Sequence, residues 1–287
     1  MQSSFVAVLF ALASALTTAW ATVIRHRIVN EVAAQNEAGI SERSPLLTGL
    51  THPVWWLTIA AAFVAYLLQV IALGFGTLLV VQPILVLSLL FTLLLSARMN
   101  RKALNRHDTA WASSLTIAVA IVVMYGRPTP GDGRPDTSDW WVAVAIGGAA
   151  CLIAGIFAYR RDGAPKALIL GAICGVVFGY VAVLSKIVAD QFFAGGFAEL
   201  VSNWHLYMLI ALAIIGTAVQ QLAFAMGNLS QSLPAMTVCE PIVAFGLSYV
   251  VLGEEFHVTT VIGRVVLAVA LIVMAVATFK LARKRAT

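Results

Sequence analysis

The chain has 287 residues, of which 61% are hydrophobic and 11% charged, and its mean hydropathy is +0.93. A soluble domain carries roughly 25% charged residues, so this composition excludes a soluble globular protein and makes the bilayer the solvent. The net charge of +5 does not indicate a nucleic-acid partner, because the basic residues gather at the ends of apolar runs and build no aromatic-basic surface.

Apolar runs of about 20 residues are long enough to cross hydrocarbon as helices. The sequence predicts nine, at 4–24, 54–74, 77–97, 109–126, 140–158, 165–188, 205–226, 229–252 and 259–280. The first follows an uncharged "MQSS" and precedes "RHR", the reverse of a signal peptide's charge order. It holds Trp20, a candidate pathway residue, and ends at Arg25, which is a gate charge, an anchor for an anionic group or for Glu240, or a snorkelling cation. A long polar connection, 25–53, leads to the second run, which carries Trp55, Trp56, Tyr66 and Gln69. The third holds Gln82 beside Pro83. Proline lacks an N–H, so the carbonyl of Leu79 loses its helical partner.

The fourth run has Trp111 near its start and is followed by the turn-rich "GRPTPGDGRPDTSD". Trp140 and Trp141 open the fifth, and with Trp55, Trp56, Trp111 and Trp204 they read as interface anchors. In the sixth, Gly171, Gly175 and Gly179 form a small-residue ridge for close packing within the bundle or in a homodimer. Tyr180 and Lys186 follow. Lys186 is a gate charge, a partner for an anionic group or Glu240, or a snorkelling cation. Gln220 and Gln221 lie in the seventh run as solute contacts or interhelical hydrogen bonds. The three cysteines, Cys151, Cys174 and Cys239, sit within apolar runs without metal-ligand spacing.

The eighth run contains "TVCEPIVAF", with the carboxylate of Glu240 directly before Pro241. Glu240 lies about 16 Å into the helix at 1.5 Å per residue, near the bilayer midplane. A charge there costs about 2.5 kcal/mol or more, so the residue needs a cavity, a partner or a proton. Its functional reading is proton coupling or contact with a cationic solute group; the alternative is a protonated side chain bonded to a neighbouring helix. Pro241 bares the carbonyl of Thr237, and Pro234 that of Ser230, so Pro83, Pro234 and Pro241 are hinge or kink candidates. Arg264, early in the ninth run, is expected to pair with Glu254 or Glu255 in the preceding loop.

With nine spans, the connections alternate sides and place 14 Lys and Arg on one side against 4 on the other. By the positive-inside rule the N-terminus is outside and the C-terminus cytoplasmic. The chain also repeats internally. At a shift of 151 positions, Gln69, Ala72, Gly76, Leu78 and Pro83 fall on Gln220, Ala223, Gly227, Leu229 and Pro234. At a shift of 161, "ATVIR" falls on "AVLSK", so Arg25 meets Lys186. The expected architecture is all-α and polytopic. Residues 1–126 form a first repeat of four helices, 127–163 a connecting fifth helix with its loops, and 164–287 a second, inverted repeat with a basic tail. Inverted repeats mark secondary transporters with a midplane site between the halves.

The run "GNLSQSLPAMTVCEPIVAFGLSYVVLGEE", followed by a last apolar helix, resembles the EamA-like branch of the drug/metabolite transporter superfamily, whose helix ends in Gly-Glu. The resemblance is good across 165–280 and weaker across 4–126. In the first half, "SARMNRKAL" replaces Gly-Glu and one helix of the usual five is missing. Nine spans, and "GYVAVLSK" at 179–186, are similar to the NIPA-type magnesium transporter branch. The resemblance implies a multi-pass protein of the inner or plasma membrane that exports a small polar or amphipathic metabolite. Other expectations are flipping of a lipid-linked sugar, for which the basic "ARMNRKALNRH" would attract head groups, a magnesium route, and a non-transporting scaffold. A lone Glu is thin ligation for magnesium. The sequence offers no catalytic constellation, phosphate loop, metal set or cofactor motif, so it predicts neither an enzyme nor a resident cofactor, and the energy for transport must come from a gradient or from the solute itself. The expected cavity holds Glu240, ringed by Gln82, Gln69, Gln220 and Tyr180.

Overall fold

All nine runs are helical in the structure, a computed structural model that describes residues 4–37, 53–99, 105–131, 137–225 and 229–285. The helices are α1 (Ser4–Glu37), α2 (Pro53–Phe75), α3 (Leu78–Met99), α4 (Arg106–Tyr125), α5 (Thr137–Tyr159), α6 (Ala164–Ser202), α7 (Trp204–Ala225), α8 (Leu229–Leu252) and α9 (Val261–Arg285). Among the described residues, these nine are long and apolar enough to cross a membrane, as a multi-pass membrane protein requires.

Two helices outrun their apolar segments. α1 continues past Arg25 to Glu37, through part of the stretch expected to be a polar connection. Its extension includes Ala33, Ala34, Gln35 and Glu37, good helix formers that keep a helix going in water. α6 runs to Ser202, well beyond residue 188, and bends at Gly196, where φ is 71°. Only glycine takes that conformation without penalty. Up to that bend, the stretch from Ala164 to Gly195 already reaches about 48 Å at 1.5 Å per residue, against a hydrocarbon core of about 30 Å. Its last turns therefore belong at or beyond a membrane interface.

α1 packs on α2 and α3, and α6 packs on α7 and α8. α9 lies against α4 and α8, while α2 meets α6 and α3 meets α8. α6 is the most buried helix and α5 the least. The glycine ridge explains the close fit of α6 to α8. A Cβ on Gly171 would fall 2.4 Å from the Ser232 carbonyl oxygen, one on Gly175 2.7 Å from that of Met236, and one on Gly179 2.7 Å from Val243. The ridge thus serves the bundle itself.

One end of the bundle is tied across distant loops. Two short strands, β1 (Pro128–Thr129) after α4 and β2 (Glu255–Phe256) after α8, pair antiparallel with Pro128 opposite Phe256. The Thr129 hydroxyl donates to the Glu255 carbonyl at 3.2 Å. Trp140, expected as an interface anchor, is instead buried. It packs edge-on against Tyr180 and tilted against Trp204, while the exposed Trp141 stacks on Trp204. An indole at a helix start joins the core when two other helices bring aromatic rings to it.

Candidate functional site

A cavity of about 240 Å³ lies inside the bundle, walled by five helices. α8 contributes Thr237, Glu240 and Pro241, and α3 contributes Gln82, Ser88 and apolar neighbours. Gln69 enters from α2, Ala15 and Thr18 from α1, and Thr278 from α9. The sequence-predicted trio of Glu240, Gln82 and Gln69 is therefore brought together by three separate helices. The close approach of α6 fixes the backbone beneath Glu240, since a Cβ on Gly175 would come within 3.1 Å of the Glu240 nitrogen.

The polar groups in this cavity are underused. Gln82 is 2% exposed and its Nε2 has no hydrogen-bond partner. A buried amide left unpaired costs roughly 1–3 kcal/mol, so its persistence needs a reason. Among the described residues, neither the Glu240 carboxylate nor the Gln69 amide makes a hydrogen bond or ion pair. The Thr237 hydroxyl is directed to its own helix, donating to the carbonyls of Leu233 and Pro234 at 3.0 and 3.2 Å. The Thr237 carbonyl, which Pro241 deprives of its helical donor, belongs to the same wall. Both prolines of α8, and Pro83 in α3, lie within continuous helices.

Other predicted site residues are placed elsewhere. Tyr180 is buried and donates to the Ala143 carbonyl of α5, so it does not ring Glu240. Gln220 turns its Nε2 toward Met236 Sδ at 3.2 Å, and Gln221 is exposed on α7. Trp20 is 36% exposed and outside the cavity wall. Arg25 places its guanidinium carbon 5.8 Å from the Trp55 ring centroid, a cation–π contact between α1 and the start of α2. Lys186 neither snorkels nor approaches Glu240. It is 4% exposed, and its Nζ donates to the Leu73 carbonyl and to Asp190 Oδ1, each at 2.7 Å. Leu73 lies in the last turn of α2, whose carbonyls lack helical donors and carry the negative end of the dipole.

The sequence reading missed Glu254. It is 2% exposed, and its carboxylate accepts from the Leu78 and Leu79 amides at 3.0 and 3.1 Å and from the Ser248 hydroxyl at 2.6 Å. Those amides open α3, where helical N–H groups have no partner of their own. Gly253, at φ 65°, turns the chain so that Glu254 points inward. Burial pushes the Glu254 carboxyl above its ordinary value, while the Ser248 and amide bonds and the nearby Lys186 charge pull it down. The expected ion pair with Arg264 is not formed. Arg264 Nε donates to the Val258 carbonyl at 3.4 Å, and the carboxylate of Glu254 is committed to α3. "Gly-Glu" was visible as a motif, but its target lies 176 positions away.

Over 287 aligned residues, the chain is 50% identical to an uncharacterized protein of Corynebacterium glutamicum, covering 99% of this chain and 96% of that one. The chain belongs to that protein's family. The shared length spans α1 to α9, so the family is defined by the whole helical body. No protein-family model and no solved structure matches the chain.

Proposed function

We propose that this protein is a secondary transporter of a small polar or amphipathic metabolite, working by alternating access with Glu240 as the coupling or solute-binding acid. The observation that carries the reading is the cavity in which Glu240, Gln82 and Gln69 meet with the Gln82 amide unpartnered. A scaffold would bury Glu240 against one neighbour or expose it to lipid. A chamber with unused donors and acceptors suits a visiting solute instead.

The packing also supports an inverted repeat. α1 contacts α2 and α3 as α6 contacts α7 and α8, and α4 meets α9. On this reading α5 is the connector between the halves. The extramembrane tie of Glu254 to α3 lies at one end of the bundle and the Arg25–Trp55 contact at the other, so each is a candidate closure. Transport is outward in the drug/metabolite exporters that the chain resembles, and the same direction is proposed here.

The test is reconstitution into proteoliposomes with an imposed pH gradient. Solutes are first chosen by the rise in thermal stability they cause, which mass action requires of a ligand for the folded state. Flux of a stabilising solute should depend on the gradient in the native chain and lose that dependence in Glu240→Gln. Unchanged coupling in the variant would remove Glu240 from the mechanism.

A further inference from the structure

A second feature lies outside the cavity that holds Glu240. Where α5 ends and α6 begins, the two helices enclose a groove of about 790 Å³. It shares no wall residue with the inner cavity. Ile153 and Phe157 form one side, Leu168 and Ile169 the other, and Ala154 and Ala164 keep the middle open. Arg161 stands at its mouth, in the turn "RRDGAPK".

Length and charge together identify the occupant. From Ala150 to Arg161 the groove follows about 15 Å of helix and turn, which is close to one leaflet, half of a hydrocarbon core of about 30 Å. Its walls are apolar over that depth, and its charge sits only at the end. The turn carries Arg160, Arg161 and Lys166 against the single acid Asp162. Asp162 is fully exposed and engages Lys166 at 3.9 Å. No ion pair to Arg160 or Arg161 is present among the described residues.

We infer that this groove is a binding site for an anionic phospholipid, with one acyl chain between α5 and α6 and the head-group phosphate on Arg161, assisted by Arg160. Basic pockets between helices at a membrane face take anionic head groups in this way. A planar guanidinium also offers phosphate two parallel N–H donors. The lipid would occupy the flank of α5, the least buried helix, and hold it to α6. The inference does not depend on transport.

The full chain, purified in detergent, is titrated with dioleoyl phosphatidylglycerol or dioleoyl phosphatidylcholine, and bound lipid is counted by native mass spectrometry. Phosphatidylglycerol should bind more tightly than phosphatidylcholine. Arg161→Ala should weaken it about fivefold, and Arg160→Ala with Arg161→Ala about 25-fold, from about 1 kcal/mol for each basic residue. Ala154→Trp fills the groove and should remove the tight site while leaving the melting temperature unchanged. If that variant misfolds, the two arginine variants still decide the matter. Arg283→Ala, an exposed arginine outside the groove, should leave binding unchanged. Equal binding of the two lipids, or equal loss in Arg283→Ala and Arg161→Ala, would overturn the site as diffuse attraction. A shift of Ala154→Trp from dimer to monomer without loss of phosphatidylglycerol would assign the groove to a second copy instead.

Discussion

Two glutamates 14 positions apart, Glu240 and Glu254, illustrate opposite uses of a buried acid. Glu254 sits in a loop, yet its carboxylate is enclosed and accepts three hydrogen bonds from Leu78, Leu79 and Ser248. Glu240 sits in mid-helix, where a charge is least welcome, and faces a cavity with no bond to it among the described residues. The first acid is consumed by the fold. The second is left available, together with the unpaired Gln82 amide. Saturated bonding therefore marks a structural carboxylate, and the unsatisfied groups around the cavity are what the proposed transport role of Glu240 rests on.

The largest effect should come from breaking the saturated site. Glu254→Ala strands two helix-opening amides in a buried place, and we expect a loss of about 2–4 kcal/mol, read as a lowered midpoint of unfolding in detergent. Glu254→Gln retains one acceptor and should lose less. Should Glu254→Ala leave stability untouched, the contrast between the two acids would be lost.

A pH series sharpens the same point at smaller amplitude. Burial is the leading influence on Glu254 and raises its pKa above the ordinary 4.5. A carboxyl with a raised folded-state pKa contributes stability that is full below the unfolded value and is lost as pH rises through the folded one. The native chain should therefore exceed Glu254→Gln in melting temperature by more at pH 4.5 than at pH 7.5. A difference that grows toward pH 7.5 would mean that the three donors, not burial, dominate.

The nine spans were legible because an apolar run of helical length admits few other structures in a membrane protein. Glu240 and Gln82 were legible for a related reason: polar groups stand out in such runs. Side-chain direction was not. When one face meets lipid and the other meets protein, both are apolar, and periodicity no longer says which way a residue points. Tyr180 and Gln220 were for this reason assigned to a cavity that they do not line. Their fates also limit what the internal repeat conveys. Gln69 reaches the cavity, whereas its repeat counterpart Gln220 meets Met236. The role of Glu254 was hidden for another reason, because it depends on the turn at Gly253 meeting the junction of α2 and α3.

Glu240→Gln tests the available acid by its mildness. The change keeps shape and removes charge, and no bond to the carboxylate is there to be lost among the described residues. Stability should shift by less than about 1 kcal/mol, while gradient-dependent flux disappears. A drop comparable to that of Glu254→Ala would show that Glu240 is structural after all.

The smallest expected change carries the most informative sign. Gln82→Leu replaces a buried, unpaired amide with an apolar side chain of similar length. Removing an unsatisfied group relieves its desolvation cost, so stability should hold or rise by up to about 1 kcal/mol. If the amide serves a transported solute and not the fold, the stabilisation that this solute gives the native chain should vanish in the same variant. Sites held ready for a ligand commonly trade stability for function in this way. A destabilised Gln82→Leu that still responds to solute would make the amide an interhelical contact, and the cavity would lose one of its three principal polar groups.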